Sequence, residues 1–427
     1  MREDFLYHLW KFRKYDTEAL KTSERQLLKI LHPGFQNELA GPDFFNAKIQ
    51  IGEQLWAGNV EMHLKSSDWY AHQHEKDPAY DNVILHVVWE HDVEIYRNDR
   101  SIIPTLILND KVDDSILETY KSLLEKDHFK LNCEKDFGNF SEFQIQHWLE
   151  RMFFERLEKK SDLILDLLRK TGNNWDAVLF IMLSRSFGSK VNAEAFMNMA
   201  LNLDFKLVQK LSGNQFSLEA LFLGQAGIIK NVDQYGLDLE KEYIYLKHKF
   251  SLENEFLESP QFFRLRPDNF PTIRLAQLAS VYSKRKSIFQ DIMYSKDVQS
   301  IKDLFKLNIS PYWKCHYNFG KTQLKKDKKL SSSFLDLIII NCIIPIKHSY
   351  FQFIEEKDEQ SLQDLINEIK SEKNTVIELF NTLRPNTAVT AMHSQGLLQL
   401  KTEYCNANKC LQCELGASLL RKSPKYN

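Results

Sequence analysis

A chain of 427 residues exceeds one ordinary hydrophobic core and predicts two or three domains. Its 43% hydrophobic and 27% charged residues, with only 14 Gly and 11 Pro, exclude long disordered linkers. A net charge of -2 excludes a globally basic nucleic-acid binder, while 56 Lys and Arg leave room for a local basic groove.

In chain order, MREDFLYHLWKF lacks an apolar core of signal-peptide length. Residues 1–32 are expected to be helical, with Thr22 and Ser23 capping TSERQLLKIL and His32-Pro33-Gly34 stopping it. AKIQI and WAGNVEMHL alternate as two strands of a hairpin about Gly52-Glu53. SSDWYAHQHEKDPAYD carries a helix-start signal at Ser66 and Ser67, is interrupted at Pro78, and offers Asp68-Trp69 as a cap and anchor. VILHVVWE is continuously apolar, the pattern of a strand buried on both faces. VEIYRND and SIIPTLIL read as a further hairpin about Asn98-Asp99. Beyond about residue 140, FQIQHWLERMFFERLEKKSDLILDLLRK and the segments after it have helical apolar spacing. The strongest apolar run, FLDLIIINCIIPI, ends at Pro345 and suits a buried core helix better than a membrane span, so a cytoplasmic chain is expected. The fold class is α+β: a mixed α/β domain over residues 1–135, then a large all-α domain over 136–427.

The chemistry concentrates near the N-terminus. Five of 13 histidines, His63, His72, His74, His86 and His91, fall in one short stretch that also carries Glu61 and Lys65. Strand alternation points Glu61, His63 and Lys65 one way and Val60, Met62 and Leu64 the other; a solvated strand face has the same pattern. Asp43, just before the preceding strand, is brought toward Glu61 by the hairpin, and the two carboxylates suit Mg²⁺ or Mn²⁺. Lys65 or His63 would then activate water or bind phosphate, with Glu38 or Glu24 as a further carboxylate. On a regular helix His72 and His74 diverge by about 200°, so they cannot both ligate one ion from there, whereas in an extended turn they could. A lone His86 in an apolar run is more often a hydrogen-bonded core residue than a ligand. Convergence of His63, His72, His74 and His86 would favour Zn²⁺, Mn²⁺ or Fe²⁺.

Two further clusters stand out. Cys405, Cys410 and Cys413 form a metal-knuckle pattern for Zn²⁺ or an iron–sulfur cluster, with Cys342, Cys315, His316 or His393 as the fourth ligand. Arg264, Arg266 and Arg274 lie near aromatics in FFRLRPDNFPTIR, as phosphate grips or as pins of a helix junction.

Gly41-Pro42-Asp43 followed by Glu61-Met62-His63 resembles the PD-(D/E)XK nuclease superfamily, with His63 where the motif has lysine. That resemblance implies a restriction-endonuclease-like fold and metal-dependent hydrolysis of phosphodiester bonds in DNA or RNA. The departure at His63 leaves open a non-catalytic nucleic-acid-binding or scaffold protein, and the histidines leave open a hydrolase of small substrates. GPDFFNAKIQI, GNVEMHLKSSDWYAHQH, VILHVVWEHD, FRLRPDNFP and YCNANKCLQCELG together resemble a bacterial family catalogued as domain of unknown function 2851, which implies no activity.

Overall fold

A computed structural model describes residues 1–37, 39–124, 130–230, 233–253, 259–356 and 359–421. By contact the chain divides into two compact units, Met1–Trp148 with Leu400–Asn427, and Leu149–Gln399. The contact division differs from the expected 135/136 in two respects: it falls between Trp148 and Leu149, and the stretch carrying Cys405, Cys410 and Cys413 clusters with the N-terminal residues.

In the first unit, α1 (Glu3–Phe12) buries Phe5, Leu6, Leu9 and Trp10 on one face and ends where Arg13 turns left-handed (φ 51°). The helix expected over residues 22–31 is absent. Its second half is instead β1 (Leu28–His32), antiparallel to β3 (Phe44–Ile51), with Leu28 opposite Ile51 and Ile30 opposite Ile49. Over so short a run the apolar spacing fits either period, and pairing with β3 decides. The short β2 (Phe35–Gln36) also lies against β3.

The expected hairpin forms between β3 and β4 (Gln54–Lys65), turning at Gly52 with φ +59°. The chain then crosses through α2 (Asp68–Ala71) and two single 3₁₀ turns to β5 (Val83–Glu90), which runs parallel to β4. The strand β6 (Thr105–Ile107) is parallel to β5, completing the order β1-β3-β4-β5-β6. The hairpin expected about Asn98-Asp99 is reduced to a bridge between Tyr96 and Ile102, because the following strand pairs with β5 instead. β5 is buried from Val83 to Val88, as a strand covered on both faces should be. Val60, Met62, Leu85 and Val87 join Phe5, Leu9 and Trp10 in one core, to which the C-terminal Leu411 and Leu420 also belong.

Among its described residues the second unit is helical apart from a short ribbon, His316–Asn318 with Lys321–Thr322, and an isolated bridge between Lys370 and Thr390. The Pro271–Ser283 helix is buried from Pro271 to Tyr282 and marks the middle of this core. FLDLIIINCIIPI lies in the helix Ser332–Phe353, long and apolar enough to cross a membrane by length and composition, yet with 72% of its most apolar window buried. The helix does not stop at Pro345. It opens to π geometry over Ile339–Ile343, just before the proline that removes a backbone donor.

Candidate metal centre

The centre is assembled from β4, β5 and the crossover between them. In the parallel register Glu61 stands opposite His86 and Met62 opposite Val87, so Glu61, His63 and His86 share one face. That face is not a solvated one: Glu61 is 5% and His63 2% exposed. His63 Nδ1 lies 2.8 Å from His86 Nε2, and His63 Nε2 lies 3.0 Å from His72 Nδ1. Glu61 Oε1 is 3.6 Å from His63 Nε2 and 3.3 Å from His74 Nε2.

His72 and His74 meet because the crossover is irregular at the required point. α2 ends at Ala71, and Gln73 takes a left-handed conformation with φ 61°, which cancels the helical divergence and brings the two rings to 5.4 Å. The start of α2 is pinned by Asp68, whose Oδ2 accepts from the Lys65 N–H, and by Asp92, which accepts from the hydroxyls of Ser66 and Ser67. Trp69 is buried and sets its edge against His74 and His86, while Tyr80 stacks on His74 at 3.8 Å.

Asp43 reaches the same place from the start of β3. Its Oδ2 accepts from the Met62 N–H at 2.9 Å, and its own N–H donates to Glu61 Oε2 at 3.1 Å. Burial raises both carboxyl pKa values, and the Glu61 charge raises that of Asp43 further. Among the described residues no lysine or arginine pairs with either carboxylate; Lys65 turns to Glu90 at 3.6 Å and is more than half exposed. Burial drives the His63 imidazole down to about 3, with His74 and His72 adding to the effect, and lowers His86 as well. The set therefore combines imidazoles with a buried and a half-buried carboxylate that have no lysine or arginine partner among the described residues, the donor chemistry of a divalent transition-metal site. Among the described residues, His63, His72 and His74 form the group whose ligand atoms all fall within 4.8 Å of one another.

Two residues of α1 were not anticipated from sequence. Tyr7 donates its hydroxyl to Asp43, and Glu3 lies close enough to feel the charges of His72 and His74. Their i,i+4 spacing on one helix was the available signal. Glu24 is exposed and Glu38 lies outside the described residues. His91 pairs with Glu94 at 3.2 Å.

The remaining expected positions behave differently. Arg274 does not present a phosphate grip: it is buried, donates to Asn269 and Gln277, and lies 3.7 Å over the Phe334 ring. Arg264 and Arg266 are exposed, with Arg264 over Phe263. Cys405, Cys410 and Cys413 form a separate cluster within the first unit. All four residues expected as their fourth partner, Cys342, Cys315, His316 and His393, belong to the second unit, where Cys342 is core and His316 stacks on Tyr312.

A family model described as protein of unknown function, DUF2851, matches residues 3–375, and the chain belongs to that family. The matched stretch includes every residue of the histidine centre and ends before Cys405. No curated protein and no solved structure matches.

Proposed function

We propose that the protein is a metal-dependent phosphodiesterase acting on nucleic acid. Its divalent ion, Mn²⁺ by donor preference, would be held by His63, His72, His74 and Glu61, with Asp43 as the adjoining carboxylate. The single observation that carries the reading is that Glu61 lies 3.6 Å from His63 and 3.3 Å from His74, which group with His72, while Asp43 from the adjacent strand hydrogen-bonds to Glu61. The choice of a phosphodiester rests on the sequence of elements. A helix, an antiparallel meander of β1, β3 and β4, a crossover and a parallel β5 carry Asp43 at the start of one strand and Glu61 within the next. That is the arrangement expected of a PD-(D/E)XK-type nuclease, here with a histidine-rich variant of its metal site.

When bound, the ion supplies Lewis acidity and offsets charge developing on the phosphoryl oxygens. Asp43 and Glu61 bring the negative charge that retains it. His86 accepts from His63 Nδ1 when His63 Nε2 is a ligand, fixing the ring. Tyr7 holds Asp43 in place through its hydroxyl. Of His63 and Lys65, the pair expected to activate water or bind phosphate, His63 would be a ligand and Lys65 pairs with Glu90, so proton removal from water would fall to Glu61 or Asp43.

The test is cleavage of plasmid DNA and of single-stranded RNA by the full chain with Mn²⁺, Mg²⁺ or EDTA. Nicking that requires Mn²⁺ and falls at least ~100-fold in Glu61→Gln, with unchanged circular dichroism, is the expected result. The three-imidazole set also favours a second reading, a hydrolase of small esters or amides. Mn²⁺-dependent turnover of such substrates with no cleavage of nucleic acid would select it.

A further inference from the structure

The sequence pattern supplies three C-terminal thiols; the fold adds a fourth. Cys133, Cys405, Cys410 and Cys413 line one small cavity of about 20 Å³, together with Asn132, Tyr404 and Gly416. Three separate segments bring them there. Cys133 lies in the turn before Phe137 and packs against the sheet core. Cys405 ends a helical stretch that widens to π geometry, where Asn406 N–H bonds to the Lys401 carbonyl. Cys410 and Cys413 flank the turn into the Glu414–Arg421 helix, and Gly416 lets that helix approach: a Cβ there would stand 2.3 Å from the Cys410 carbonyl oxygen.

We propose that Cys133, Cys405, Cys410 and Cys413 ligate an iron–sulfur cluster. All four are unpaired thiols, so no disulfide competes. Cys413 is buried and the other three are half-buried. Donors already point at the sulfurs: Asn132 Nδ2 donates to Cys410 Sγ at 3.3 Å, and backbone N–H groups of Leu415 and Gly416 face Cys413. Such N–H···S bonds set cluster stability and potential. Spacing distinguishes a cluster from a single zinc. Around tetrahedral Zn²⁺ at ~2.3 Å the sulfurs stand about 3.8 Å apart. Among the described residues no three of these sulfurs fall within 4.8 Å of one another, whereas the histidine group does. Sulfurs spaced more widely than one tetrahedral ion requires fit a multi-iron core.

The inference is independent of the phosphodiesterase reading and shares no residue with it. The full chain, purified anaerobically and reconstituted with ferric iron, dithiothreitol and sulfide, should contain iron and acid-labile sulfide in equal amounts. It should also show visible charge-transfer absorbance that dithionite bleaches. That absorbance should be lost in Cys133→Ser and retained in Cys315→Ser, with unchanged far-ultraviolet circular dichroism and melting temperature reporting that each variant folds. One zinc per chain with no iron uptake would overturn the cluster. Absorbance that survives Cys133→Ser in a folded protein would overturn the fourth ligand, and absence of any metal from the wild-type chain would overturn the site.

Discussion

His63 is the pivot of the proposed centre, touching His86 on one ring nitrogen and facing His72 and Glu61 on the other. Its partner His86 reads from sequence as a core histidine, and it is one: fully buried, in an otherwise apolar strand. What the sequence does not reveal is that its ring abuts a ligand. Replacing it by a similar volume, His86→Phe, should lower Mn²⁺ affinity ~10–100-fold by calorimetry, while His91→Ala should leave it unchanged. The same residues set a pH dependence. The folded pKa values of Asp43 and Glu61 are raised, so their contribution to metal-free stability is full below the ordinary carboxyl range and is lost as pH rises through the folded values. His63 is lowered to about 3, so its contribution is present above its ordinary 6.5 and is lost as pH falls toward 3. A bound cation removes the carboxylate penalty, so the rise in melting temperature on adding Mn²⁺ should be larger at pH 8 than at pH 5.5. A shift independent of pH would count against carboxylate ligation.

At the level of elements, the centre depends on one left-handed residue and one glycine. Gln73 at φ 61° is what turns His72 and His74 toward a common point. Gln73→Gly should keep metal affinity, whereas Gln73→Val, which resists that conformation at a cost of about 1–3 kcal/mol, should reduce it in calorimetry. Gly58 sits where the β4–β5 register shifts, and a Cβ there would stand 2.5 Å from Ile84 Cγ2 and 2.7 Å from the Asn82 carbonyl oxygen. Gly58→Ala should cost ~1–3 kcal/mol in urea unfolding. The hairpin, the doubly buried β5 and the meeting of Asp43 with Glu61 were legible because period-two patterns and a Gly turn are local signals. The strand at Leu28–His32 and the parallel pairing of β6 were not, since both are decided by partners distant in sequence. The turn at Gln73 carried no signal, because glutamine has no particular preference for a left-handed conformation.

At the scale of the molecule, the C-terminal segment is part of the N-terminal unit. Leu411 and Leu420 lie in the same core as Phe5 and Val60, and Lys14 donates to the Arg421 carbonyl at 3.3 Å. Composition changes at about residue 140 and does not change back at residue 400, so this return could not be read from pattern, nor could the meeting of Cys133 with the terminal cysteines. Ending the chain after Gln399 removes four buried leucines, Leu400, Leu411, Leu415 and Leu420, each worth ~2–5 kcal/mol on truncation. Melting of the sheet unit, followed by near-ultraviolet circular dichroism, should therefore move to clearly lower temperature. An unchanged transition would mean that the segment contributes no core.

The most direct check of the central claim is anomalous diffraction from crystals of the full chain grown with Mn²⁺. The account predicts one peak within bonding distance of His63 Nε2, His72, His74 and Glu61, with Asp43 beside it. Ordered manganese elsewhere, and none among those side chains at saturating concentration, would contradict it.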